Sequence, residues 1–296
     1  MFRSVVLGAA FAASLSGLGS AWAGPADDPA NWRKVDPENL LQLTINKQEV
    51  LVEMRPDFAP KHVEQVKKIT RDTNYDKLPF HRVIDDFMAQ GGEVYAIYQV
   101  YPRYPILKAE FTFNRDPKKT PVQWFGNTAG GDRLGWLDGF VVQGQPDEIA
   151  AISDPPAAKT WAVHCSGIAS MARADAPDSA DTQFFLMRHP RTGKPDEGGL
   201  DATYTIWGRA LTGLDVIRGI KAGADADDGR LAPSQADKLT KAVIVADIPE
   251  SKRPAVYVRR TNGPEFAATL AAATASDPNQ ACELLPVEVI VERPGQ

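Results

Sequence analysis

The chain has 296 residues, 43% of them hydrophobic and 24% charged, with a formal net charge of −5. That length suits one substantial domain with additions, or two small ones. The acidic balance gives no electrostatic reason to bind nucleic acid.

Residues 1–23 have the pattern of an export leader. Arg3 supplies a positive charge, Val5 to Leu18 is apolar, and Ala21-Trp22-Ala23 before Gly24 has the small-x-small form of a signal-peptidase site. The apolar run is too short to cross a bilayer. The expectation is an exported protein, most simply of the bacterial periplasm, with no membrane span in the mature chain.

Strand-like runs at Leu40 to Ile45 and Val50 to Met54 flank Asn46-Lys47 and predict a hairpin. A helix follows over 59–71, with Pro60 in its first turn and Val63, Val66 and Ile69 on one stripe. Phe80 to Gly92 reads as two short strands joined at Asp85-Asp86. Alternation puts Phe80, Arg82 and Ile84 on one side of the first arm, with His81 and Val83 opposite, and Met88 and Gln90 together on the second arm. A guanidinium and an amide among such apolar neighbours suit a groove that binds an apolar ligand and donates a few aimed hydrogen bonds, because Arg is rarely buried unpaired.

Residues 106–111 form another candidate strand. From about 114 to 160 the periodicity is weak, with Gly130-Gly131 and Pro155-Pro156, and a long loop insertion is predicted, carrying a short strand near 139–143. Apolar character returns over 161–171, a loop is predicted over 172–181, and strands over 183–187, 204–209 and 242–247. A helix over 211–220 is entered through Thr212. Beyond 250 a helix at 264–273 and a strand at 287–291 make an extension. Many short strands and few helices argue for a closed or nearly closed antiparallel barrel whose ends are covered by helices. The predicted organisation is a leader (1–23), a main domain (24–249) holding the insertion, and a C-terminal extension (250–296). Cys165 and Cys282 are the only cysteines. A bridge and two free thiols both remain open, since export permits a disulfide but sequence alone does not bring the backbones together.

Phe80-His81-Arg82-Val83-Ile84, followed by Phe87-Met88-Ala89-Gln90-Gly91-Gly92, is similar to the signature of the cyclophilins, which are peptidyl-prolyl cis-trans isomerases. Gly167 to Ala172, then Gln183-Phe184-Phe185, Leu200-Asp201 and Trp207-Gly208-Arg209 resemble that family's second half in the same order. The likeness spans roughly Asn39 to Pro249 outside the insertion. It implies a mainly β fold, a closed eight-stranded antiparallel barrel capped by two helices, with a substrate groove on its outer face. It also implies isomerisation of X-Pro bonds in proline-containing polypeptides, here exported ones, with no metal or other cofactor. Arg82 would be the catalytic residue. Phe87, Met88, Phe185 and Leu200 would line the proline pocket. Gln90 and the backbone around Ala172, Arg173 and Ala174 would hold the substrate main chain, and Tyr204 would stand at the groove edge.

The departures are Asp85-Asp86 where Pro-Gly is usual, Arg173 where Asn is typical, and Gly199 where many eukaryotic members have Trp. The last implies weak cyclosporin binding. Plainer readings compete at each position. Arg82 could pair with Asp85 or Asp86, and the apolar set could be core. His81 alternates away from Arg82 and reads as structural. The histidines show no zinc spacing, and His164-Cys165 is a poor thiol-nucleophile pair because strand neighbours face opposite ways. The alternative function is a non-catalytic peptide-binding or holdase chaperone on the same barrel, with insertion and extension making the main contacts.

Overall fold

The computed structural model describes residues 24–194, 198–270, 278–284 and 287–295, so the leader expected over 1–23 lies outside the described residues. In chain order the first half holds β1 (Trp32–Lys34), β2 (Leu40–Ile45), β3 (Gln48–Met54), α1 (Pro60–Arg71), β4 (Leu78–Pro79), β5 (Arg82–Val83), β6 (Met88–Gly91) and α2 (Val94–Ile97). Then come β7 (Phe113–Arg115), β8 (Gln123–Asn127), β9 (Arg133–Leu137), β10 (Phe140–Gly144), β11 (Ala158–Ala162), β12 (Ile168–Met171), β13 (Phe184–Met187) and β14 (Ile206–Ala210). The chain continues through α3 (Leu214–Arg218), β15 (Lys238–Ile244), β16 (Ala255–Arg259), α4 (Pro264–Leu270), α5 (Pro278–Leu284) and β17 (Val289–Glu292).

The main sheet has nine strands in the order β4-β15-β2-β3-β14-β12-β13-β6-β5. All nine strands send side chains into one core, from Leu78 and Leu239 at one end through Leu41, Val50, Trp207, Ala169 and Phe184 to Ala89 and Val83 at the other. The sheet therefore curls around that core. It does not close into the expected eight-stranded barrel. The groups at its two ends bond to the 223–237 segment instead of to each other: Phe80 N–H donates to the Asp237 carbonyl, Val83 N–H to Gly229 and Leu231 N–H to His81. The same bend turns Phe80 into the core, away from Arg82, so the alternation expected across residues 80–82 is broken there.

Helix α1 buries Val63, Val66 and Ile69 as its spacing predicts. Ala59 supplies no side-chain cap. Glu110 does so from a distance, its carboxylate accepting from the N–H groups of Lys61 and His62 at 3.1 Å and from His62 Nδ1 at 2.6 Å. Residues 106–111 are accordingly not a strand. Apart from one bridge between Leu107 and Ala180, their backbone donors go to side chains, Ala109 N–H to Asp178 and Glu110 N–H to Thr205. Helix α3 starts after Gly213, whose φ of 77° and closeness to the Glu49 carbonyl demand glycine. Thr212 is not its cap, and its hydroxyl accepts from Leu51 N–H.

The predicted loop insertion is a folded layer, a second antiparallel sheet in the order β7-β11-β10-β9-β8. One face, with Leu137, Phe140 and Val142, packs on the outside of the curled sheet. The other, with Leu134, Trp136 and Val141, packs on Phe266, Leu270 and Ala281 of the extension. Burial on both faces removes the in-out alternation that marks a strand, so short segments such as Arg133–Leu137 carry no legible period. A third sheet, β1-β16-β17, joins the two ends of the described chain and rests on Leu40 and Leu51.

Ion pairs lock these layers. Arg33 of β1 forks onto Glu53 of β3, and Arg55 pairs with Asp57 at 2.6 Å and with Asp138 in the β9–β10 turn at 3.2 Å. Cys165 and Cys282 form a disulfide with Cα atoms 5.3 Å apart, tying α5 to the segment before β12.

Glu110 is held below the ordinary carboxylate range: partial burial works against this, and the hydrogen bonds from His62 and from the Lys61 and His62 N–H groups outweigh it. A carboxylate with a depressed folded-state pKa contributes stability above its unfolded value and loses it as pH falls through the folded one. Glu110→Gln is expected to lower stability at neutral pH and to flatten the acid limb of the stability–pH profile below about pH 4.3. Urea unfolding at several pH values checks this, and an unchanged acid limb would contradict it.

Candidate active site

The site lies on the outer face of the curled sheet, and strand register builds it. Arg82 is opposite Gln90 across β5 and β6, Gln90 opposite Phe185 across β6 and β13, and Phe185 opposite Ser170 across β13 and β12. The adjacent rung, Val83, Ala89, Leu186 and Ala169, points into the core. Because neighbours along a strand alternate, that inward rung obliges Arg82, Gln90 and Phe185 to face out together. Met88, two residues from Gln90, joins them.

These side chains border a hollow of about 240 Å³ lined by Arg82, Phe87, Met88, Gln90, Ala172, Arg173, Phe185, Leu200 and Tyr204. Every site residue named from the sequence is therefore brought together except Ala174. That residue is exposed and only offers its carbonyl to Arg173 Nη1 at 2.8 Å. The apolar floor is Met88 and Phe185, which are 2% and 4% exposed. Tyr204 meets Phe185 edge-on at 5.6 Å between centroids. The Arg173 guanidinium lies 4.4 Å from the Tyr204 centroid and donates through Nε to the Thr203 carbonyl, which fixes that wall.

Arg82 pairs with neither Asp85 nor Asp86. Asp85 binds Arg188 instead. Arg82 presents Nε and Nη2 to Asp228, at 3.0 and 2.8 Å, while Nη1 points to Gln90 Oε1 at 3.5 Å. One edge of the guanidinium is thus clamped by Asp228 and Nη1 is directed at Gln90, with Arg82 and Gln90 both lining the hollow. The Asp228 carboxylate is held below its ordinary range by the hydrogen bonds from Arg82. Gln90 donates through Nε2 to Gln183 Oε1 at 2.9 Å, which orients its amide.

Beneath Phe185 is a second support. The His164 ring stacks on Phe185 with centroids 6.3 Å apart, its Nδ1 is 2.9 Å from Asp201 Oδ1, and its Nε2 is 3.1 Å from Ser170 Oγ. The residue types match a hydrolytic triad, but His164, Asp201 and Ser170 have no exposed surface, so no substrate reaches the hydroxyl. They brace Phe185 and, through Asp201, its neighbour Leu200. Cys165 is in the disulfide and is no thiol nucleophile. His81 sits 3.9 Å from Glu93, and burial pushes its imidazole below the ordinary range. Among the described residues no group of His, Cys, Asp and Glu could hold a metal ion, and no helix is long and apolar enough to cross a membrane.

Asp228 and Gln183 are the site residues that sequence reasoning missed. Asp228-Gly229 is legible as a turn, but its partner lies 146 positions away, and no local pattern encodes that contact.

Three comparisons bear on this geometry. The family model described as "Cyclophilin type peptidyl-prolyl cis-trans isomerase/CLD" matches residues 40–245. A "Probable peptidyl-prolyl cis-trans isomerase" of Brucella suis is 34% identical over 213 residues, covering 72% of this chain and 85% of that protein. A Schizosaccharomyces pombe peptidyl-prolyl cis-trans isomerase is 28% identical over 203 residues, covering 69% and 96%. The crystal structure of a cyclophilin from Hirschia baltica aligns with a TM-score of 0.79 at 35% identity, covering 92% of this chain and 97% of its own.

Proposed function

The chain belongs to the cyclophilin-type peptidyl-prolyl cis-trans isomerases, and from that premise we propose that Arg82 is its catalytic residue and the hollow beside it the proline pocket. The observation that carries the reading is that Arg82, clamped on its Nε/Nη2 edge by Asp228 and with Nη1 3.5 Å from Gln90 Oε1, lines one hollow with Phe87, Met88, Phe185 and Leu200.

Rotation about an amide is opposed by about 18–20 kcal/mol because the nitrogen lone pair is delocalised into the carbonyl. Uncatalysed X-Pro exchange takes tens to hundreds of seconds. In the twisted transition state the lone pair returns to nitrogen and accepts a hydrogen bond that the planar ground state could not. A fixed donor at that point stabilises the transition state selectively. Arg82 suits the task because its guanidinium stays charged and its N–H groups are rigidly placed. Asp228 takes two of those donors side-on and fixes the plane, so reorganisation is small when the nitrogen becomes basic. Met88, Phe185, Phe87 and Leu200 hold the pyrrolidine ring, while Gln90 and the backbone at Ala172 and Arg173 bind the flanking main chain. Tyr204 closes the edge.

The substrates on this reading are exported polypeptides, and the protein works outside the cytoplasm, most simply in a bacterial periplasm. The leader pattern of residues 1–23 and a disulfide that persists in oxidising compartments both support that location. The test is a protease-free proline-isomerisation assay on the mature protein. Arg82→Ala is expected to lower kcat/KM on the order of a hundredfold, and Asp228→Asn to lower it less, because the donor remains but is no longer clamped. Unchanged activity in Arg82→Ala would overturn the assignment.

Weak cyclosporin binding is proposed from Gly199. A Cβ there would fall 2.1 Å from the carbonyl oxygens of Thr192 and Gly193, so a tryptophan cannot occupy this position without rebuilding the loop. An inhibition titration is expected to show no tight binding, and nanomolar inhibition would contradict the proposal.

A further inference from the structure

A second cavity, of about 370 Å³, lies between the outer face of the curled sheet, the inserted sheet and the extension. Small-molecule sites span about 300–1,000 Å³. The apolar part of its lining is Trp136, Val141, Ile168, Leu211, Leu214 and Val287, and the Cys165–Cys282 bridge also borders it. The charged and titratable groups around it are Arg209, Arg218, His189 and Glu283, of which the last three are exposed. Arg218 spends Nε on the Arg188 carbonyl and Nη2 on Ser166 Oγ.

Arg209 is different. It stands opposite Glu53 across β14 and β3, yet both Glu53 oxygens are taken by Arg33. Asp57 and Asp138 are engaged by Arg55 and Arg33. Arg209 keeps one hydrogen bond, to the Gly139 carbonyl, and its Nε has no partner. Among the described residues no carboxylate lies within ion-pair distance of it. Burial pushes its pKa down to about 10, so it remains a cation at neutral pH. The residue is only partly buried, and its guanidinium lies 5.5 Å from the Phe140 ring centroid. Its buried Nε is nonetheless unpaired, and a partly desolvated cation lacking a counter-ion can gain from an anionic partner.

We propose that this cavity is a second ligand site, separate from the proline pocket, that takes a monocarboxylate on an apolar body, with the carboxylate on Arg209 and the body against Trp136, Leu211 and Val287. Guanidinium–carboxylate geometry favours a forked contact, and Glu283 at the lining disfavours ligands carrying several negative charges. A free fatty acid and the C-terminus of an apolar polypeptide share this chemistry.

The experiment uses the mature protein in calorimetric titrations with octanoate and octanol, and with N-acetyl-leucyl-leucine and its amide. At least one acid is expected to bind saturably at one site, with its neutral counterpart weaker by about tenfold or more, and the acid that binds identifies the source. Arg209→Gln is expected to abolish that preference while leaving proline isomerisation unchanged. Leu214→Trp, which fills the cavity and keeps the guanidinium, is expected to abolish binding, and it decides the matter if Arg209→Gln does not fold. Saturable binding of neither acid, or equal binding to Leu214→Trp, would overturn the proposal.

Discussion

The molecule turns on one rung of hydrogen-bonded register, Arg82, Gln90, Phe185 and Ser170 on four adjacent strands. A slip of one residue in any of these pairings would exchange the outward set for Val83, Ala89, Leu186 and Ala169. It would bury a guanidinium and expose the core. The hydrophobic term that drives the sheet to curl is therefore the same term that sets the arginine beside the aromatic floor. Asp228 then limits the guanidinium's remaining freedom, and the His164 brace limits that of Phe185. Register sets the charge and the apolar surface on one rung, and different contacts then fix each of them, Asp228 for the guanidinium and His164 for the ring.

The familiar choice between core and pocket does not apply to Met88 and Phe185. They belong to one apolar cluster with Leu137, Phe140 and Val142 of the inserted sheet, and Phe87, Leu200 and Tyr204 pack against it. The inserted layer thus packs on the same outer face as the hollow and joins its apolar floor. This keeps the floor dry and rigid, so that a ring-sized apolar group meets preformed walls. It also means that residues far outside the family likeness contribute to the stiffness of the site.

Alternation made the shared face of Arg82, Met88 and Gln90 legible, because a period of two survives wherever one side of a strand is wet. Phe185, Leu200 and Tyr204 came from the family likeness, since they lie on other elements. Phe80 went wrong because the alternation was extended across a bend. Within the inserted sheet the strand expected near 139–143 is present as β10, Phe140–Gly144, but its neighbours went unseen because residues such as Leu134, Trp136 and Leu137 are buried on both faces of the sheet. The sheet's open ends depended on where Phe80 and Val83 place their backbone donors. The Cys165–Cys282 pairing and the Asp228 contact were both matters of distant chain segments meeting.

The inserted sheet leaves and rejoins the main domain through adjacent strands, with Phe113 of β7 opposite Thr160 of β11. Its two attachment points are thus neighbours, and everything between them is a closed excursion. In evolutionary terms this works as a socket: hairpins inside it can be lengthened, traded or lost without shifting the pairing of the isomerase strands, provided that Asp138 or an equivalent still bolts the layer down. A lineage could vary these hairpins while the register of the main sheet stays unedited, so long as the apolar positions of Leu137, Phe140 and Val142 still cover Met88 and Phe185.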